Sequence, residues 1–241
     1  DKDVVIHLAG LSNDPLGEFE SNLTNEINFD STIDLAKKAK NENVKRFIYS
    51  SSQSMYGISQ TSDELDEYDS IKDPVTEYAK TKWKAEKEIN KLNSVDFTTV
   101  VFRPATVFGA SPRIRCDIVF NNLVACAFTQ KKIIVHTDGK PWRPVIHIKD
   151  VCEALLAGIV APKNIVSGQA YNLGIKNGNF TVRQIAEAAQ RSMPDSELIF
   201  LNEKSKIDPR TYKVSFKKIY NDLGSYYKPK WKLDDGAKEL I

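Results

Sequence analysis

The chain is 241 residues long, 41% hydrophobic and 27% charged, with 34 basic residues against 32 acidic ones. That length accommodates one large domain or two small ones around a buried core. The near-balance of charge offers no footprint for nucleic acid or an anionic membrane surface, and no run approaches the ~18 apolar residues of a membrane span.

Val4–Ala9 (Val-Val-Ile-His-Leu-Ala) is a short β-branched run of the kind buried on both faces of a parallel sheet. After a polar loop, a helical pattern runs from about Ser21 to Lys40, with Leu23, Ile27, Leu35, Ala36 and Ala39 on one face. Arg46–Ser51 reads as a second strand ending in a serine-rich turn. Pro74 precedes a helix to about Leu92, and Phe97–Arg103 is a third strand stopped by Pro104. Further on, the pattern predicts a helix near Asp117–Thr129, an apolar run Lys132–His136, a strand Arg143–Ile148, a helix Asp150–Val160 and a short strand Tyr171–Leu173. Thr181 with Gln184 three residues on is a capping-box signature for another helix. The stretch Asp208–Ile241 mixes one strand-like run with a short helix.

Strands alternating with helix-length crossovers imply a parallel, doubly wound α/β sheet. The expected organisation is such a sheet over residues 1–110, receiving segments from about 140–175, with a smaller α/β lobe over 111–241. Cys116, Cys126 and Cys152 are odd in number and form no Cys-x-x-Cys pair, which reads as free thiols in a reducing cytoplasm. His7, His136 and His147 have no metal-ligand spacing, so no metal site is expected.

Tyr78-Ala79-Lys80-Thr81-Lys82 lies in the first turns of the helix after Pro74, where residues four apart share a face. A phenol titrates near pH 10, and a neighbouring ammonium lowers that value by favouring the phenolate. Tyr78 and Lys82 thus form a plausible acid–base pair, although a surface Tyr and Lys at this spacing is a common coincidence. Ser50-Ser51-Ser52 ends the preceding strand, where open α/β sheets collect ligands. A hydroxyl there could bond the substrate oxygen that exchanges a proton with Tyr78.

Together these segments resemble the extended short-chain dehydrogenase/reductases, in particular the nucleotide-sugar epimerase/dehydratase branch. Val5-Ile6-His7-Leu8-Ala9-Gly10 is similar to the family's fourth-strand signature, and Asn28 in Asn28-Phe29-Asp30-Ser31-Thr32 matches its Asn-x-x-Gly-Thr helix motif, with Ser31 for Gly. Ser50 to Gly57 resembles Ser-Ser-x-x-x-Tyr-Gly, whose reactive hydroxyl corresponds to Ser52. Arg103-Pro104 to Gly109 resembles the Arg-Pro segment beside the nicotinamide. Asn121-Asn122-Leu123 and Trp142-Arg143-Pro144 are similar to segments that meet the sugar-nucleotide diphosphate, and Asp208-Pro209-Arg210 falls where another such stretch lies.

The resemblance implies a Rossmann-type fold and NAD or NADP as cofactor, NAD being favoured. It implies Ser52, Tyr78 and Lys82 as catalytic residues. Leu8, Ala9, Gly10, Asn28, Ser50, Arg103 and Pro104, with Tyr78 and Lys82, would face the cofactor. Ser52, Gln53, Asn122, Leu123, Arg143 and Arg210 would face a nucleotide-sugar substrate, and a homodimer is the implied assembly. Dehydratases of this branch follow the reactive hydroxyl with Asp-Glu, whereas this chain has Gln53-Ser54, which cannot eliminate water. The resemblance at Asn121-Asn122-Leu123 and Arg143 makes a 4-epimerase the leading expectation, with a 4-keto-sugar reductase and a non-catalytic cofactor-sensing relative as alternatives. No Gly-x-Gly-x-x-Gly or Gly-x-x-Gly-x-x-Gly turn occurs among the eleven glycines. Since Val4–Ala9 matches the fourth strand, about 60–70 residues carrying three βα units are expected before Asp1.

Overall fold

A computed structural model describes residues 3–12, 20–59, 61–202 and 211–241. Its principal sheet comprises β1 (Val4–His7), β2 (Arg46–Ser50), β4 (Thr98–Pro104) and β8 (Gln169–Leu173), side by side in that order and all parallel. The first six residues of β4 are buried, as a strand covered on both faces must be. Side-chain alternation divides the core. Phe47, Tyr49 and Val101 face Ile33, Ala36, Ala85 and Ile89 on α2 (Ser31–Asn41) and α3 (Glu77–Lys91). Ile48, Val100, Phe102 and Tyr171 face Val151, Ala154 and Leu155 on α5 (Ile148–Val160). Helices thus cover both faces, which is the doubly wound arrangement expected from the sequence. Arg46 ties the two layers: its Nη1 donates to the carbonyls of Gly158 (2.6 Å), Ile159 and Ala161 (3.0 Å) at the C-terminal end of α5.

Further elements complete the chain. β5 (Thr106–Phe108) pairs in parallel with β7 (Trp142–His147), which runs antiparallel to β9 (Asn179–Thr181). β6 (Lys132–Val135) pairs with β10 (Glu197–Phe200), and the short β3 (Glu64–Leu65) with β11 (Lys213–Val214). Helices α4 (Val119–Gln130), α7 (Val182–Ser192) and α9 (Leu233–Leu240) enclose a separate cluster around Phe120, Ile133, Ile185 and Leu233. Helix α6 (Lys163–Val166) leads into β8, and α8 (Lys217–Leu223) packs Ile219 and Leu223 against the principal core. The capping box at Thr181 and Gln184 is present.

In the described sheet the run from Val4 is the edge strand, with Val4 and Val5 half-buried and Ile6 exposed. Two sequence expectations need correction. The helix expected over 21–40 is α1 (Ser21–Asn25), a π-helical turn (Glu26–Asp30) and α2 in succession. Its inward face is Thr24, Asn28, Thr32, Ile33, Ala36 and Ala39, while Leu23 and Leu35 are exposed. The polar residues turn inward because they have partners there: His7 Nε2 meets Thr32 Oγ1 at 2.8 Å, and Asn28 binds the backbone of Leu11. Finally, the C-terminal stretch contains two helices, not one. Among the described residues no helix is long and apolar enough to cross a membrane.

Candidate active site

The site forms at the carboxyl ends of β2 and β4, and local chemistry places each part. β2 ends at Ser50. Ser51 is buried, and Ser52 caps a 3₁₀ turn over Gln53–Tyr56. The Ser52 Oγ accepts from the backbone N–H of Ser54 at 3.1 Å and lies 2.8 Å from the Ser54 hydroxyl. Gln53 turns inward, its Nε2 donating to the carbonyls of Arg103 (3.0 Å) and Leu173 (3.2 Å), so it fastens the ends of β4 and β8.

The chain then folds back at Gly57, whose φ of +65° and close approach to Asp73 admit no side chain: a Cβ there would lie 1.9 Å from the Asp73 carbonyl oxygen. That approach carries Val75, Thr76 and Tyr78 to the wall opposite Ser52. Thr76 caps α3 by accepting from the N–H of Ala79 at 3.2 Å, and Tyr78 stands in the first turn. One helical turn on, Lys82 is buried and donates from Nζ to the Ser50 carbonyl at 2.9 Å. The ammonium sits 4.8 Å from the centroid of the Tyr49 ring and 6.0 Å from that of Tyr78. Burial lowers the Lys82 pKa to about 8. His7 is also held below its ordinary value, first by burial and then by the Lys82 charge.

Beside this lysine lies the segment after β1. Asn28, at the π-helical turn, accepts from Leu11 N–H at 2.7 Å and donates to Leu11 C=O at 2.9 Å, a two-point grip on the backbone. A Cβ on Gly10 would lie 2.9 Å from Asn28 Oδ1 and 3.6 Å from Lys82 Nζ, so Gly10 closes against both. π-Helical turns concentrate at functional positions, and here the turn buries the Asn28 side chain between Thr24 and Thr32 on the inward face.

Ser52, Gln53, Tyr78, Pro104 and Arg143 line one cavity of about 390 Å³, together with Ser12, Ser54, Thr76, Arg115, Asp117 and Tyr212. Ser50, Lys82, Asn28 and Gly10 adjoin it through the contacts just described, and Leu8 and Ala9 are exposed on the same segment. Other expected site residues do not line this cavity among the described residues. The Arg103 side chain turns away and is nearly inaccessible: its Nη2 binds Glu86 Oε1 at 2.6 Å, and its Nη1 donates to the Tyr56 hydroxyl at 3.0 Å. Leu123 packs in the core around Phe120, while Asn122 donates to the Cys116 carbonyl and has its own N–H bonded to Ile118. Neither lines the cavity, which α4 reaches through its first residue, Val119. Arg210 falls outside the described residues. Sequence reasoning missed Arg115, Asp117 and Tyr212. The pairing of Arg115 with Asp117 two residues on was the available signal for the first two.

The fold and this grouping define a parallel-sheet α/β protein with a Ser–Tyr–Lys cluster at the carboxyl end of its strands. The chain belongs to the NAD-dependent epimerase/dehydratase family, whose model matches residues 1–174. Human dTDP-D-glucose 4,6-dehydratase is 28% identical over 248 residues, covering 99% of this chain and 67% of its own length. RMD from Pseudomonas aeruginosa, solved with NADPH, superposes with a TM-score of 0.84 at 21% identity, covering 99% of this chain and 80% of its own. UDP-glucuronic acid 4-epimerase from Bacillus cereus, solved with UDP-glucuronic acid and NAD, gives 0.81 at 24%, covering 99% and 74%. The chain spans about two thirds of the length of the curated relatives it matches.

Proposed function

We propose that the protein is a nucleotide-sugar 4-epimerase using a nicotinamide dinucleotide, with Tyr78 as the proton-transferring group. The observation carrying this reading is that Ser52, Tyr78 and Arg143 line one cavity, with the buried Lys82 ammonium beside Tyr78. Tyr78, as phenolate, takes the proton from the sugar hydroxyl and later returns it. Lys82 is held on the Ser50 carbonyl and favours that phenolate electrostatically. Ser52, fixed by the Ser54 N–H, bonds the same sugar oxygen and orients it. Arg143 offers a planar fork to phosphate oxygens.

The residues present fit a dinucleotide: the exposed segment Leu8–Gly10, whose glycine packs closely against Asn28 and Lys82, would hold it with those two side chains. When bound, that cofactor supplies reversible hydride acceptance. Dehydration is disfavoured by the residues after Ser52. Gln53 is consumed in bonds to Arg103 and Leu173, and Ser54 has no carboxylate with which to move a proton at C6.

The test is incubation with NAD⁺ and a panel of UDP- and dTDP-sugars, followed by NMR. Inversion at C4 without net NADH is expected, and Tyr78→Phe should reduce turnover at least 10²-fold, the lower range of general acid–base catalysis. A 4-keto-6-deoxy product would refute the reading in favour of a dehydratase. In a parallel incubation with NAD(P)H and a nucleotide 4-keto-sugar, stoichiometric NAD(P)H consumption would make the protein a reductase, and ligand binding without turnover in either would make it a regulator.

A further inference from the structure

Among the described residues two arginines line the cavity, and the mechanism above uses only Arg143. Arg115 lies between β5 and α4. Its Nε and Nη2 grip the Asp117 carboxylate at 3.1 and 2.5 Å, and its Nη1 donates to the Ser12 carbonyl at 2.9 Å. Both Arg115 and Asp117 line the cavity with Arg143. Ser12 follows Leu11, the residue that Asn28 grips, so Arg115 links the wall near α4 to the segment beside Lys82.

Two properties make this pair exchangeable. Its side chains are 38% and 53% exposed, and exposed pairs give up their partners at little cost. A guanidinium binds phosphate through the same two-donor fork that it uses for carboxylate. The Arg115 bond also holds the Asp117 carboxyl below its ordinary pKa, so the aspartate stays charged and keeps the arginine neutralised. An incoming diphosphate would meet Arg143 on one wall and Arg115, docked on Asp117, on another segment of the same lining.

We infer that Arg115 is a second diphosphate-binding residue of this cavity, with Asp117 an internal stand-in that the substrate's diphosphate displaces. The inference rests on the nucleotide-sugar reading and adds a residue that determines substrate affinity.

The test is calorimetric titration of the chain with UDP and, separately, with NAD⁺, using Arg115→Gln, Asp117→Asn, their double variant and Arg143→Gln. Arg115→Gln should weaken UDP about tenfold, the loss of a charge-assisted hydrogen bond. Asp117→Asn should tighten it about threefold by releasing the arginine, and that gain should vanish in the double variant. An equal gain in both backgrounds would overturn the inference, because it would report only a removed negative charge. UDP binding that depends on Arg143 and not on Arg115 would overturn it alone. No UDP binding by the unaltered chain would overturn it together with the nucleotide-sugar reading. The same pattern with NAD⁺ and not UDP would also overturn it, by moving Arg115 to the cofactor.

Discussion

The Arg103–Glu86 pair provides a sharp test of how helix α3, which carries Tyr78 and Lys82, is held. Glu86 lies on α3 one turn beyond Lys82 and two beyond Tyr78. Its carboxylate receives Arg103 Nη2 at 2.6 Å and Nε at 3.1 and 3.3 Å, with both side chains at most 3% exposed. The pair therefore fixes the position of α3 on β4. Glu86→Gln keeps the shape and removes the charge, leaving a buried guanidinium whose remaining partners are neutral. Breaking a buried pair from one side costs about 3–5 kcal/mol. Glutamine still offers an acceptor, so the lower end, about 3 kcal/mol, is the expected loss. For a chain of this length that corresponds to a fall in Tm of about 6–12 °C.

Urea titration and thermal melting, followed by circular dichroism, measure both quantities. A loss below about 1 kcal/mol would refute the reasoning, since it would mean that the pair is effectively solvated. A second arm separates anchoring from net stability. Joint replacement by Glu86→Leu and Arg103→Met should recover most of the stability, because apolar volume substitutes for a desolvated pair at little net cost.

Two further outcomes follow from groups beside the cavity. Lys82→Met should abolish turnover yet stabilise the fold at pH 7 by on the order of 2 kcal/mol, because the folded-state pKa of about 8 lies below the ordinary 10.5. The sign follows from proton counts: between about pH 8 and 10.5 the unfolded chain binds the proton that the folded chain has released, so wild-type stability rises with pH across that window. The advantage of the variant, read from urea midpoints, should shrink over the same range; identical pH dependence of the two proteins would exclude a buried charged lysine. Asn28→Ala removes both bonds to Leu11 and should cost about 1–3 kcal/mol. Amide exchange at Leu11 should accelerate and NAD⁺ affinity should fall, whereas unchanged exchange would show that the segment is held by other contacts.

Legibility in the sequence followed burial. Strands β2 and β4 were readable because residues covered on both faces must be apolar, and the helices between them followed from their spacing. The inward face of α1 and α2 was misassigned because apolar periodicity assumes that polar side chains seek water, whereas Asn28 and Thr32 find partners inside. The inward direction of the Arg103 side chain has a related cause. Arg103 shares strand parity with Val101, whose side chain faces α3, and there Glu86 meets it. The motif resemblance identified the segment but said nothing of that parity. Ser52, Tyr78 and Lys82 were legible as a group because a strand end and a helix start have fixed geometry, while Arg115 and Asp117 sit between elements, where no period constrains direction.

The polar groups under the cavity suggest why the helix needs its anchor. Lys82 is a buried cation resting on one carbonyl and an aromatic face, and the buried Tyr49 hydroxyl, Ser51 Oγ and Gln53 Oε1 have no hydrogen-bond partner among the described residues. Each is costly in a low-dielectric layer. These groups lie on β2, on α3 and in the serine turn, so the region around Ser52 and Tyr78 is locally destabilised. The Glu86–Arg103 pair stands one turn beyond Lys82 on the same helix and opposes any relaxation that would let water reach the ammonium. Weakening that anchor should therefore raise the Lys82 pKa toward 10.5, and the alkaline limb of kcat/KM for Glu86→Gln should move upward from about pH 8. An unmoved limb would mean that Lys82 is held by β2 alone.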